Sequence, residues 1–288
     1  VARKRLDLSS WRRIALSAWD APRDPTAYGA VDLEATRALE ALHARSSELG
    51  VRIGLLHLVG KALADALAER PEMNGFVSRG ELVLRDTVDV FFQVALFDNA
   101  TPEETSAALR TKRSDANLAG AKVERANEKR VEDIARELAE KATVVRAKAD
   151  RQAQLGAKTL SGLPHRLVGT ATRLGAYLSY DLGLDLSRAG IPYDAFGSCM
   201  VTNVGTFGIP LGFAPLLELS RVPLVVTLGA VETRPSVVGD VVVPRPRVQI
   251  GAAFDHRVFD AYQASGLVEH VRAAFEEPER FLRAAPRG

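Results

Sequence analysis

The sequence predicts an α+β domain on three observations. Helical apolar spacing dominates up to about residue 150, and strand-type patterns dominate from Gly197 onward. The third is size: 288 residues, 47% of them hydrophobic, are ample for a single large core or two closely packed lobes. The expectation is one domain spanning 1–288.

In chain order, residues 8–19 read as a short helix, capped by Ser9 or Ser10, with Trp11, Ile14, Ala15 and Ala18 as its apolar stripe. Tyr28 to Asp32 reads as a strand entering a helix. Asp32 is the expected N-cap, and Leu33, Thr36, Leu39, Leu42 and Leu49 recur at near-helical spacing. Residues 54–69 form a nearly all-apolar helix stopped by Pro71; His57 inside it reads as a buried, hydrogen-bonded histidine. Glu81 to Phe97 alternates as strands do, broken at Asp86, which gives two strands.

Residues 98–120 are polar and lack an apolar face broad enough for core packing, although Thr101-Pro102-Glu103-Glu104 is a good helix start. A long charged helix is expected over 128–150, with Val131, Ile134, Leu138, Ala142 and Val145 on one face. Leu163, Leu167, Val168, Leu174, Leu178 and Leu182 make an amphipathic pattern within 155–187, interrupted by Gly169 and Gly175. It reads as a helix packed on the core or on a neighbouring subunit, with a membrane-surface helix as the alternative. The remaining strands are expected at 197–204, 222–233, 236–243 and 246–254, with a hairpin turn at Gly239-Asp240. A helix over roughly 260–275 closes the domain.

Charge and composition exclude several functions. The net charge of +2, from 38 basic and 36 acidic residues, makes no electrostatic case for nucleic acid. The one cysteine, Cys199, rules out an internal disulfide framework and fits a reducing compartment. It sits among β-formers and reads as a small buried residue. No apolar run reaches the length of a membrane span, no secretory signal is visible, and no Gly-rich phosphate loop occurs. A cytoplasmic protein is expected.

The residues that carry chemistry are concentrated in Phe254-Asp255-His256-Arg257-Val258-Phe259-Asp260-Ala261. A run of β-formers, Val248 to Phe254, delivers a histidine to a strand end, and an aspartate follows four residues later where a helix begins. Histidine titrates closest to neutrality and is the natural general base at pH 7, while a nearby carboxylate can fix the loop that holds it. The spacing by itself also fits a surface histidine ahead of a helix.

This stretch closely resembles the Asp-His-Arg-Val-Ile-Asp-Gly signature of the 2-oxoacid dehydrogenase acyltransferase (E2) catalytic domain, within the chloramphenicol-acetyltransferase-like superfamily. Ser9-Ser10-Trp11-Arg12-Arg13 is similar to the family's N-terminal Ser-x-x-Arg-Lys opening. Gly60-Lys61-Ala62-Leu63-Ala64, followed by Arg70-Pro71-Glu72-Met73-Asn74-Gly75, resembles its Lys-Ala-Leu helix ending in Pro-Glu-Leu-Asn. Met200 to Gly208 resembles Phe-Thr-Ile-Ser-Asn-Leu-Gly-x-Phe-Gly, and Phe213-Ala214-Pro215 and Leu228-Gly229-Ala230-Val231 follow in the family's order. The resemblance implies a two-layer sandwich in which helices flank a mixed β-sheet.

It also implies acyl transfer between coenzyme A, as a substrate, and a thiol acceptor of the dihydrolipoamide type. His256 matches the catalytic histidine, acting at a subunit boundary. Thr202 matches the serine whose hydroxyl donates to the oxyanion, and a threonine hydroxyl can make the same bond. The competing reading of Thr202 is a residue suited to a strand. Asp260 matches an aspartate that pairs with an early arginine to fix the loop; Arg12 stands at the matching place, with Arg13 as fallback. Asn203 is expected to hydrogen-bond within its strand end, without a catalytic role. No metal is implied.

A homotrimer follows from the resemblance, with a larger cage and dehydrogenase-complex subunits as further partners. No Asp-Lys hairpin of the lipoylated kind is visible; a lipoyl group on a separate carrier, free coenzyme A thioesters, or removal of upstream domains would each account for that. The sequence departs from the family at Ala261, which replaces a glycine, and at 98–120 and 155–187, which read as insertions. Two other readings stand beside this one. One is a non-catalytic trimeric or cage-forming scaffold; the other is a chloramphenicol-type acetyltransferase acting on a small-molecule hydroxyl.

Overall fold

The computed structural model describes residues 24–96, 117–141, 170, 173–186 and 193–283. Its frame is a six-stranded mixed sheet in the order β1-β8-β7-β6-β4-β5. The strands are β1 (Thr26–Glu34), β4 (Val90–Leu96), β5 (Asn117–Val123), β6 (Cys199–Asn203), β7 (Leu224–Val238) and β8 (Val241–Asp255). β6 runs parallel to both β4 and β7, and every other pairing is antiparallel. A separate hairpin pairs β2 (Gly75–Ser78) with β3 (Glu81–Leu84).

Alternation along the strands divides the sheet into two faces. Val90, Phe92, Cys199, Val201, Leu224, Val226, Leu228, Val248 and Ile250 join one buried core with the helices α1 (Thr36–Leu49), α2 (Leu55–Glu69), α4 (Ala261–Glu276) and α5 (Pro278–Arg283), and with Val131, Ile134 and Leu138 of a helix, α3, seen over 131–141. The intervening residues Met200 and Val225 face the other way, into a smaller cluster with Val222, Phe91, Phe196, Ala214 and Leu216. The expected two layers are therefore present, with the helices on one face of the sheet.

α2 is the central helix of the core. Leu58, Val59, Ala62, Leu63, Ala66 and Leu67 are all buried, as its apolar pattern predicts. Lys61 is also buried, and its ammonium donates to Asp65 Oδ1 at 2.8 Å and to the Asn127 carbonyl at 2.6 Å. Those two bonds offset the cost of taking the charge out of water. His57 Nδ1 accepts the Gly54 N–H at 2.9 Å at the start of the helix. Burial, with the charge of Arg52 adding to it, pushes this imidazole down to about 4.

Three sequence expectations are corrected. Asp32 does not cap α1: it lies within β1, Ala35 precedes the helix, and the Asp32 carboxylate instead receives Arg247 Nε at 3.0 Å. The polar segment 98–120 ends in the sheet, where Asn117 onward forms the edge strand β5; residues 98–116 lie outside the described residues. The three strands expected at 222–233, 236–243 and 246–254 are two: 236–238 continue β7, 241–243 run on into 246–254 as β8, and the turn between them falls at Gly239-Asp240 as predicted. Pro244 and Pro246 do not break β8. The Pro246 carbonyl accepts the Ala35 N–H at 2.8 Å, so these prolines turn their missing donors away from β7, toward the side where β1 pairing ends. The helix expected over 8–19 lies outside the described residues, as do 142–150 and most of 155–187. Within the latter, a helical turn at 173–176 runs into a π-helical turn, Tyr177–Asp181.

On the face away from the helices, the 204–214 loop lies backbone to backbone on the sheet. The Ala230 N–H donates to the Ile209 carbonyl at 2.8 Å, and Thr227 Oγ1 donates to the Gly212 carbonyl. A Cβ at Gly229 would overlap the Pro210 carbonyl, and one at Gly251 would overlap the Gly212 carbonyl, so only glycine permits the approach.

Candidate active site

The last residue of β8, Asp255, hands the chain to a turn that is held from several sides. The Asp255 N–H donates to the Pro223 carbonyl at 2.8 Å, and the His256 N–H donates to the Pro25 carbonyl at 3.0 Å. The Asp255 carbonyl receives the N–H of Val258 at 2.9 Å, and Val258 and Phe259 are buried in the core. The side chain of Asp255 closes the turn: Oδ1 accepts the Arg257 N–H at 2.9 Å and Arg257 Nε at 3.0 Å, and Oδ2 accepts Nη2 at 2.8 Å. This bidentate pair raises the Arg257 guanidinium above its usual value despite partial burial. Sequence reasoning missed the pair; its signal is two opposite charges flanking a histidine at i−1 and i+1.

His256 is half-buried. Its ring lies near-parallel to Phe254, with centroids 6.3 Å apart, and Phe254 in turn stacks on Phe259 at 5.1 Å. Four residues on, Asp260 is the N-cap of α4. Its Oδ1 accepts the Gln263 N–H at 3.0 Å, while Gln263 Oε1 accepts the Asp260 N–H at 3.2 Å, a reciprocal capping box. The structure thus gives Asp260 a role that the sequence reading did not foresee. Arg12, the expected ion-pair partner, lies outside the described residues. Ala261 is the first residue of α4, where a methyl group is compatible with the helix.

Thr202 and Asn203 stand at the end of β6. Thr202 is half-buried on the face away from the helices, and Asn203 Oδ1 accepts the Thr206 N–H at 3.3 Å, fixing the start of the loop. Across the sheet Thr202 is level with Thr227, and Thr227 with Gly251. His256 is five residues beyond Gly251, which at strand geometry is ~17 Å along β8, and Thr202 is two strands over, a further ~10 Å. One chain therefore holds His256 with Asp260, and Thr202 with Asn203, but does not bring the two pairs together.

A groove of about 780 Å³ opens beside the histidine turn. Asp255, Arg257 and Val258 form one wall; Leu216, Leu217 and Val222 form another; Arg173 and Tyr177 from the helical turns form the third. Cys199 lies under the sheet, fully buried, and burial pushes its thiol up to about 12, outside the range of a reactive thiolate.

Comparisons with known proteins bear on the family and the fold. Residues 195–283 match the family described as 2-oxoacid dehydrogenases acyltransferase (catalytic domain). The chain is similar to the probable dihydrolipoyllysine-residue succinyltransferase component of the mitochondrial 2-oxoglutarate dehydrogenase complex of Schizosaccharomyces pombe. The two are 25% identical over 264 residues, covering 89% of this chain and 45% of that protein. The chain thus spans less than half the length of the curated relatives it matches.

Among solved structures, a probable dihydrolipoamide acetyltransferase from Listeria monocytogenes 4b F2365 superposes with a TM-score of 0.59 at 17% identity, covering 95% of this chain and 94% of that one. The cubic core of the pyruvate dehydrogenase multienzyme complex gives 0.58 at 17% identity, covering 90% and 85%. At such identities the likeness establishes the fold.

Proposed function

We propose that this chain, whose residues 195–283 belong to the 2-oxoacid dehydrogenase acyltransferase catalytic-domain family, moves an acyl group between coenzyme A and a thiol of the dihydrolipoamide type. The observation that carries the reading is the placement of His256 on a turn locked by Asp255, Arg257 and the Asp260 cap. His256 takes the proton of the attacking thiol, whose ordinary pKa of about 8.5 is within reach of a neutral imidazole. The thiolate adds to the thioester carbonyl, forming a new C–S bond and an oxyanion that accepts a hydrogen bond from the Thr202 hydroxyl. The old C–S bond then breaks, and His256 returns the proton to the departing thiolate.

Because one chain holds His256 and Thr202 apart, a complete site takes two copies, Thr202 of one meeting His256 of the next. A cyclic head-to-tail assembly supplies that contact at every interface, and a homotrimer is the proposed form, with a cage as its extension. The acyl carrier is proposed as a lipoylated partner, and the cytoplasm as the setting.

The test is transfer from acetyl- and succinyl-coenzyme A to dihydrolipoamide, with the native chain against His256→Ala. Activity that collapses in the variant supports the reading. An intact oligomer with no transfer in either protein supports a scaffold, and transfer to a hydroxyl acceptor alone supports the chloramphenicol-type reading.

A further inference from the structure

We propose that the free end of the β7–β8 ribbon is an interface that docks on a second copy of this chain, beside the His256 of that copy. β6 leaves β7 at Leu228 and β1 leaves β8 at Arg247, so past those points the two strands run on as a pair. From Val231 to Val238 the ribbon extends ~24 Å at strand geometry. The register shifts between Leu228 and Val231, and such a bulge bends the strand and tightens its twist, turning the ribbon relative to the sheet.

The two faces of the ribbon are exposed the wrong way round for a solvated hairpin. Val231, Thr233, Pro235 and Val237 share one face of β7, and all four are exposed. Opposite the last three stand Pro246, Pro244 and Val242 of β8. Val237 and Val242 are 75% and 68% exposed, and the whole face carries no charge. Glu232, Arg234, Arg245 and Arg247 lie on the other face, which is the less exposed. There Arg234 Nε donates to Glu232 at 3.0 Å, and Arg247 Nε to Asp32 at 3.0 Å. Single exposed valines are ordinary, but a continuous apolar strip marks a contact surface, and charge is depleted at the core of an interface.

The contact is made by the face. Pro235, Pro244 and Pro246 have no N–H to offer an added strand, which blunts both edges of the ribbon. A membrane surface suits the strip poorly, since the turn carries Asp240 and the apolar face no lysine or arginine. Resting on the acyltransfer reading, which needs Thr202 of one copy to meet His256 of the next, the occupant is that next copy. Thr202 is level with Thr227, four residues before Val231, or ~14 Å along β7. On the receiving copy Tyr28 is level with Ala253, three residues before His256, or ~10 Å along β8. Tyr28 is 56% exposed, edge-on to Phe213, and the stretch from Val204 to Leu217 is also uncharged. A contact between Thr202 and His256 therefore leaves Val231 within reach of Tyr28 and carries the ribbon toward that neighbour. Two unlike surfaces, ribbon and Tyr28, make a head-to-tail contact of the kind that closes into a ring.

The experiment is light scattering of the full chain over a dilution series, with lysine placed on either face of the ribbon. Val241 and Val242 are adjacent on β8, both exposed and on opposite faces. Val242→Lys, and Val237→Lys across from it, are expected to raise the concentration needed for assembly about tenfold or more, while Val241→Lys leaves it near native. Tyr28→Lys strikes the receiving side and is expected to match Val242→Lys. Circular dichroism establishes that each variant is folded.

A native chain that stays monomeric, native-like assembly of Val242→Lys, or an equal loss in Val241→Lys overturns the proposal. So does a native monomer that binds phosphatidylserine vesicles, which gives the ribbon to a membrane. Assembly sensitive to Val242→Lys but not to Tyr28→Lys overturns the head-to-tail placement in favour of ribbon meeting ribbon. Face-specific dissociation in a protein that transfers no acyl group keeps the interface and removes the reading of function above. Acyl transfer by an oligomer that no ribbon variant disturbs does the reverse.

Discussion

Arg257 closes on both carboxylate oxygens of Asp255, at 3.0 and 2.8 Å, and the residue between them is His256. The pair therefore works as a clasp across the backbone of the proposed base. Arg257→Ala is expected to lower kcat by about 10- to 100-fold with little change in KM, since a small misplacement of a reacting group is costly. Arg257→Lys keeps the charge without the fork and should recover only part of the loss. Steady-state kinetics on both variants check this, and native kcat in Arg257→Ala would show that the clasp serves the fold alone.

Asp260 can be dissected by its substitutions. Asn caps helices about as well as Asp, whereas Ala costs about 1 kcal/mol at this position. Asp260→Ala should lower the melting temperature and Asp260→Asn should leave it near native. A fall in Asp260→Asn as deep as that in Asp260→Ala would instead show that the charge matters, as an ion pair with Arg12 requires.

The stability of the fold should carry a pH signature from His57. Its folded value of about 4 lies below the ordinary 6.5, so below pH 6.5 the unfolded chain binds a proton that the folded chain does not. Stability from this group is complete above that pH and declines as pH falls toward 4, by about 3 kcal/mol at most. Urea unfolding at pH 7, 5.5 and 4.5 measures the slope. His57→Gln should flatten it over this window, and an unchanged slope would assign the loss to other groups.

Cys199 is the chain's one cysteine, which makes its chemistry easy to read. With its thiol fully buried and raised to about 12, it should resist Ellman's reagent in native protein and react stoichiometrically in guanidinium. Rapid modification of the folded protein would contradict its place under the sheet.

The division of the proposed site between copies predicts complementation. Thr202→Ala and His256→Ala chains should each lose at least about 100-fold in activity. Mixed before assembly in equal amounts, they should recover about a quarter of native activity, because one interface in four joins an intact Thr202 to an intact His256. Recovery no greater than the sum of the two parents would place both residues in one chain's site.

Much of this architecture was legible because burial imposes simple periodicities. α2 announces itself by an apolar run closed by Pro71, and the β7–β8 turn by Gly239-Asp240 between β-formers. β5 was missed because it is built of small residues, Ala119, Gly120 and Ala121, where strand formers are expected, and Gly120 is there to make room for the Phe91 ring of β4, a tertiary requirement. The gap expected between 243 and 246 does not occur, because tolerance of Pro244 and Pro246 depends on which edge of β8 they face, a tertiary property. Asp32 and Asp260 show the same limit in side chains. Each aspartate precedes a helix, but only Asp260 caps one, because Asp32 lies within β1, three residues before the Ala35 cap, where Arg247 of β8 and Arg234 of β7 reach it. His256 was found through its neighbours in sequence, whereas the Asp255–Arg257 clasp appears only once the turn is folded.

The backbone-on-backbone seat of the 204–214 loop has a consequence for how such a protein changes over time. Where Gly229 meets Pro210 and Gly251 meets Gly212, there is no side chain to enlarge or trim. Point substitution at these joints can only wedge the layers apart, so gradual tuning by mutation is closed there. Variation is left to the outward side of the same loop, where Ile209 and Phe213 remain 42% and 44% exposed. A new acceptor preference acquired through this loop would be written on its outer surface, with its height above the sheet inherited unchanged.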